Sequence, residues 1–190
     1  MKRIIERLSR PLLGLLLFAA LGARQLPKTV PAYIILIRHA EKPDDPEDPH
    51  LSPAGVKRAK KLVGYVTNDP AMRKLGTPVA IFATRTTKHD DGQRTQETVA
   101  PLAGALKLPV QTPFLGKEYA ELAQRVLANP AYTGKTVLIC WNHENIPALA
   151  AELGVTPEPP KWKGKVFDVV YIIAYHNGKA TLTTARYQGE

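Results

Sequence analysis

Residues Tyr33-Ile34-Ile35-Leu36-Ile37 form an unbroken apolar run that ends abruptly on Arg38-His39-Ala40-Glu41-Lys42. A run that is aliphatic without alternation fits a strand buried on both faces, as in a parallel sheet covered by helices. In open sheets of that kind, ligands bind beyond the carboxyl ends of the strands. Arg38 and His39 therefore fall where such a fold places its chemistry. Taken alone, the pair reads equally as a ligand-binding rim or as two polar residues facing solvent.

The rest of the chain repeats the pattern of strand, polar loop and helix. After the Pro- and Asp-rich stretch 43–50, a helix opens with Ser52 as N-cap and Pro53 at its first position. Val56, Ala59, Leu62, Val63 and Val66 mark its buried face, and Lys57, Arg58, Lys60 and Lys61 its solvent face. Asn68-Asp69-Pro70 ends it. Pro78 to Ala83 is a second buried strand, followed by a polar loop over Thr84–Gln93 and a helix from Arg94 to Lys107, in which Pro101 predicts a bend or a new start. Val110 belongs to a short edge strand, Gly116 to Ala128 to an amphipathic helix, and Lys135 to Trp141 to a third buried strand. Asn142-His143-Glu144-Asn145 leads into a helix ending near Leu153. The Lys- and Pro-rich loop around Trp162 precedes a terminal hairpin turning at His176-Asn177-Gly178. The expected fold is α/β, a three-layer α/β/α sandwich with a mostly parallel central sheet.

At 190 residues the chain has room for one domain, read here as residues 24–190. Residues 1–23 read as a secretory signal peptide. Lys2, Arg3, Arg7 and Arg10 precede the apolar stretch Pro11 to Gly22, which is short for a bilayer span, and Ala20-Leu21-Gly22 offers a small-x-small cleavage site. The expected location is periplasmic or extracellular, with membrane attachment only if this segment stays uncleaved. Cys140 is the single cysteine, so no internal disulfide forms. The formal charge of +9 is dispersed along helices, which argues for small anionic ligands before nucleic acid.

Several catalytic schemes fall away. The only serines are Ser9 and Ser52, neither in a Gly-x-Ser-x-Gly setting. Cys140 has Ile146 where a Cys-x5-Arg phosphate loop needs arginine. Gly134-Lys135-Thr136 has Asn129 in place of the first glycine of a nucleotide-binding loop and precedes a strand. No Cys or His pair has metal-ligand spacing. What remains is His39 and His143 at strand ends, with Arg38 and Arg94. Two histidines and two arginines around one cavity suit a phosphoryl group: guanidinium forks hold its oxygens, and a neutral imidazole attacks phosphorus.

On these residues the chain resembles the histidine phosphatase (phosphoglycerate mutase-like) superfamily. Its Arg-His-Gly motif is matched by Arg38-His39-Ala40-Glu41 and its Leu-Ser/Thr-x-x-Gly helix start by Leu51-Ser52-Pro53-Ala54-Gly55. Its Arg-Ala-x-Gln-Thr-Ala segment is similar to Arg94-Thr95-Gln96-Glu97-Thr98-Val99, and its Gly-His strand end to Asn142-His143. The four occur in the family's order between Tyr33 and the end of the chain. Ala40 and Asn142 stand where the family has glycine, and a long loop before Arg94 makes Arg85 a competing choice for the second arginine.

The resemblance implies a phosphoglycerate mutase-like fold and a phosphatase that hydrolyses phosphomonoesters through a phosphohistidine on His39, with no metal or cofactor. Arg38, Arg94 and His143 would bind the phosphoryl group, with Lys42 where one branch has an extra phosphate-binding arginine. The proton donor is Glu144 or Glu118, which match the acids of two different branches. The substrate is then a small-molecule or peptide phosphomonoester. The alternatives are a mutase-like phosphoryl transferase and a noncatalytic phosphate-binding module.

Overall fold

The computed structural model of the chain describes residues 29–87 and 92–187. The expected signal segment and the tip of the Thr84–Gln93 loop lie outside the described residues. Among those described, no helix is long and apolar enough to cross a membrane.

A six-stranded sheet organises the molecule, in the order β3-β2-β4-β1-β5-β6. Strand β1 (Tyr33–Arg38) sits beside β4 (Thr136–Trp141), parallel, and beside β5 (Val169–His176), antiparallel. On the far side of β4 lie β2 (Pro78–Phe82) and β3 (Val110–Gln111), both parallel. The terminal hairpin adds β6 (Lys179–Arg186) as the outer antiparallel strand. The sheet is thus parallel over four strands and antiparallel at one edge.

The non-alternating strands divide their side chains between two cores. Ile34 and Leu36 of β1 face α4 (Tyr119–Ala128) and α5 (Ile146–Glu152), while Ile35 and Ile37 face α1 (Pro53–Asn68) and α3 (Gln93–Leu106). With every β1 residue from Ile34 to Ile37 at most 1% exposed, the strand gains burial on both faces. Helices on both sides of the sheet make the expected three layers.

Five local features differ from the sequence reading. Val56 is 42% exposed instead of buried, because α1 packs through Gly55, Ala59, Leu62 and Val66. Arg58 is not a solvated base: its guanidinium grips Glu41, with Nε 2.8 Å from Oε1. A short helix, α2 (Pro70–Lys74), follows α1, nucleated by Asp69, whose carboxylate accepts the N–H groups of Ala71 and Met72. Helix α3 continues unbroken through Pro101, and α4 begins at Tyr119, three residues later than its amphipathic pattern suggested.

Candidate active site

The β1–β4 pairing places Arg38 opposite Trp141, so the two chains leave the sheet side by side. The His39 N–H extends the ladder to the Trp141 carbonyl at 3.3 Å. His39 and His143 then meet nearly edge-on, with ring centroids 6.4 Å apart and planes at 78°. Arg94 reaches the same rim from the first turn of α3. Its Nη2 and Nε donate to the carbonyls of Asp48 (2.8 Å) and His50 (3.3 Å). Together these residues line a cavity of about 360 Å³, completed by Lys42, Asn142, Glu144, Gly164 and Phe167.

The electrostatics suit an anionic guest. Arg38 is only 4% exposed, and burial lowers its pKa to about 10, so it remains a cation at neutral pH. Burial also pushes His39 down to about 4, assisted by the charges of Arg38 and Arg94. His143 is lowered as well, by burial and then by Arg38, with Lys42 adding to the effect and Glu144 opposing it. Both imidazoles are therefore neutral near pH 7. The His39 Nδ1 lies 2.7 Å from the Ala40 carbonyl. A carbonyl only accepts, so Nδ1 carries the proton and Nε2 keeps its lone pair.

The first motif is braced from two sides. Thr98 on α3 accepts the Ala40 N–H. The Ala40 methyl is buried with Leu51 and Ala59, which accommodates the residue standing where the family has glycine. Gly55 is required by close approach: a Cβ there would lie 2.3 Å from the Glu41 carbonyl oxygen. A similar close approach accounts for Gly116, where a Cβ would meet the Asn142 Nδ2 at 2.7 Å.

The remaining candidates separate clearly. Glu144 lines the cavity with its side chain 73% exposed and Oε1 3.9 Å from His143 Nε2. Glu118 does not line it: its Oε2 accepts the Leu115 N–H at 2.8 Å and faces Arg85 at 3.5 Å. Arg85, partnered there, is likewise absent from the cavity wall, which Arg94 occupies. Sequence reasoning missed Phe167, Gly164 and Val166 as neighbours of Arg38, for no local pattern marks residues brought over by the chain more than a hundred positions later. Among the described residues no group of three or more His, Cys, Asp or Glu could hold a metal ion.

The sequence matches no protein-family model and no curated protein. Its fold matches solved structures. YhfR of Bacillus stearothermophilus aligns with a TM-score of 0.57 at 17% identity, over 83% of this chain and 98% of that one. Phosphoserine phosphatase of Entamoeba histolytica, solved with 3-phosphoglyceric acid, aligns at 0.54 and 15% identity, over 83% and 98%. SixA of Nakamurella multipartitia aligns at 0.51 and 19% identity, over 81% and 95%. The six-stranded mixed sheet with helices on both sides is thus a fold that this chain shares with these solved structures.

Proposed function

We propose that this chain is a phosphatase that hydrolyses phosphomonoesters through a phosphohistidine on His39. The observation that carries the reading is the tautomer of His39: with Nδ1–H on the Ala40 carbonyl, Nε2 is a free nucleophile beside Arg38, Arg94 and His143. Its low pKa keeps that lone pair unprotonated at neutral pH. Solved relatives of this fold that are phosphatases by name add support.

In this mechanism Nε2 of His39 attacks phosphorus as the ester P–O bond breaks. Arg38 and Arg94 hold the equatorial oxygens, whose charge grows in the transition state. Glu144 gives its proton to the leaving oxygen. It then takes one from water, which attacks the phosphohistidine, breaks the P–N bond and frees inorganic phosphate. His143 closes the opposite side of the phosphoryl group, and Lys42 stands at its end of the cavity. The basic and apolar residues 1–23 support action outside the cytoplasm, which sequencing the N-terminus of exported protein would test.

The test is phosphate release from an aryl phosphate by the wild type and by His39→Ala, with acid-labile 32P trapped on the wild-type protein. Full release by His39→Ala would overturn the mechanism. Isomerisation of a phosphosugar or phosphoglycerate without release would favour a mutase.

A further inference from the structure

The roof of the cavity comes from residues 162–167, a stretch outside every motif that carries the phosphatase reading. Arg38 Nη1 donates to the carbonyl of Gly164 at 2.8 Å and to that of Val166 at 3.1 Å. The Phe167 ring covers the guanidinium, with Cζ 3.9 Å from its centroid, and meets His39 edge-on at 6.2 Å. The Val166 carbonyl is itself held in place. It also accepts the indole N–H of Trp162 at 2.9 Å, and Trp162 is buried against Tyr171 of β5 with ring centroids 4.8 Å apart.

A guanidinium carries five N–H donors in one plane. Here both carbonyls engage a single terminal nitrogen, and the phenyl ring covers one face. Nε is buried and has no hydrogen-bond partner among the described residues. A buried donor without an acceptor is costly unless a ligand supplies one. Nε–H beside Nη2–H is an edge that meets two oxygens of a phosphate side by side. Free rotation about the arginine's long axis would present other edges instead, so something must fix the roll of the group.

We infer that residues 162–167 form a cradle fixing Arg38 so that its Nε edge receives the phosphoryl oxygens, with Phe167 and Trp162 as positioning residues. The ligand in this inference rests on the phosphatase reading; the cradle itself rests on the contacts of Arg38. The anchoring carbonyls take up Nη1, and the ring stack holds the plane through a cation–π contact. Trp162 acts at one remove, through the Val166 oxygen it shares with Arg38.

The experiment follows the arginine Nε–H resonance of Arg38 by 15N-correlated NMR during titration with inorganic phosphate, the peak being assigned by its loss in Arg38→Lys. In the wild type phosphate shifts this resonance downfield. In Phe167→Leu, which keeps an apolar side chain but removes the ring, the phosphate Kd rises roughly ten-fold and the shift shrinks. Phe167→Tyr restores both. With an aryl phosphate, Phe167→Leu loses kcat more than it changes KM. Should Phe167→Leu fail to fold, Trp162→Phe removes the indole donor while keeping an aromatic ring against Tyr171, and weakens phosphate binding in the same direction. An Nε–H that ignores phosphate in the wild type, or responds equally in wild type, Phe167→Leu and Trp162→Phe, overturns the cradle. A wild type showing the Nε–H response and its loss in the variants, yet releasing no phosphate from the ester, overturns the phosphatase reading and supports the cradle.

Discussion

The hydroxyl of Thr98 accepts the Ala40 N–H at 2.8 Å and donates to the Arg94 carbonyl at 2.7 Å. One buried side chain thus fixes the turn after His39 to the helix that carries Arg94. Thr98→Val keeps the shape and leaves the Ala40 N–H unpaired in the core. The expected loss is about 1–3 kcal/mol in urea unfolding. A drop of roughly ten-fold in kcat/KM should accompany it, because the nucleophile and the second arginine lose their common reference.

Arg94 is braced on its other side by loop 48–51. Glu97 holds that loop, with Oε1 2.5 Å from His50 Nδ1 and Oε2 accepting the Leu51 N–H at 2.9 Å. These bonds, chiefly the one from His50, draw the Glu97 carboxyl below the usual range against the opposing effect of burial. Glu97→Ala should free the loop and raise KM about five-fold with kcat nearly unchanged, the pattern of lost ground-state binding. Steady-state kinetics checks this; a lost kcat with unchanged KM would contradict it.

His39 carries the pH dependence. Its folded pKa of about 4 lies below the 6.5 of a free imidazole. The acid limb of kcat/KM, corrected for ionisation of the substrate, should therefore fall near pH 4 instead of 6.5. Stability follows the same group. Between these values the unfolded chain binds the proton and the folded one does not, so stability is lost as pH falls through that window. The difference amounts to roughly 3 kcal/mol near pH 4. His39→Asn should flatten this part of the profile of unfolding free energy against pH.

Glu144 and Glu118 are separable by leaving group. Glu144→Gln should lower kcat for an alkyl phosphate by roughly 10²–10⁴-fold, and far less for a nitrophenyl phosphate, whose leaving oxygen needs little protonation. Glu118→Gln should leave both rates near wild type, since its carboxylate is turned back onto Leu115 N–H. Parallel assays of the two variants decide the assignment.

The sheet was legible because residues 33–37 of β1 and 137–141 of β4 are apolar without alternation, the pattern of a strand covered on both faces. The strand-end placement of His39 and His143 followed from it. On α1 the sequence placed Ala59, Leu62 and Val66 correctly and erred at the first turn, where hydrophobicity chose Val56 but contact with Glu41 demands the smallest residue, Gly55. Glu118 matched a sequence pattern, but its carboxylate is engaged by a backbone donor three residues earlier, which no spacing rule shows. Phe167 was invisible for a deeper reason. A ring stacked on an arginine 129 positions away is a property of the tertiary fold, and in the sequence it is one more apolar residue before a strand.

The strand order has a temporal consequence. Strand β4 inserts between β2 and β1, which precede it in the chain and are joined only through it. During synthesis His39 therefore emerges early, yet it waits beside an unfilled sheet edge until residues 136–141 have left the ribosome. No chain that lacks residues 136–143 can assemble the two-histidine rim, so the chemistry proposed here waits on the insertion of β4.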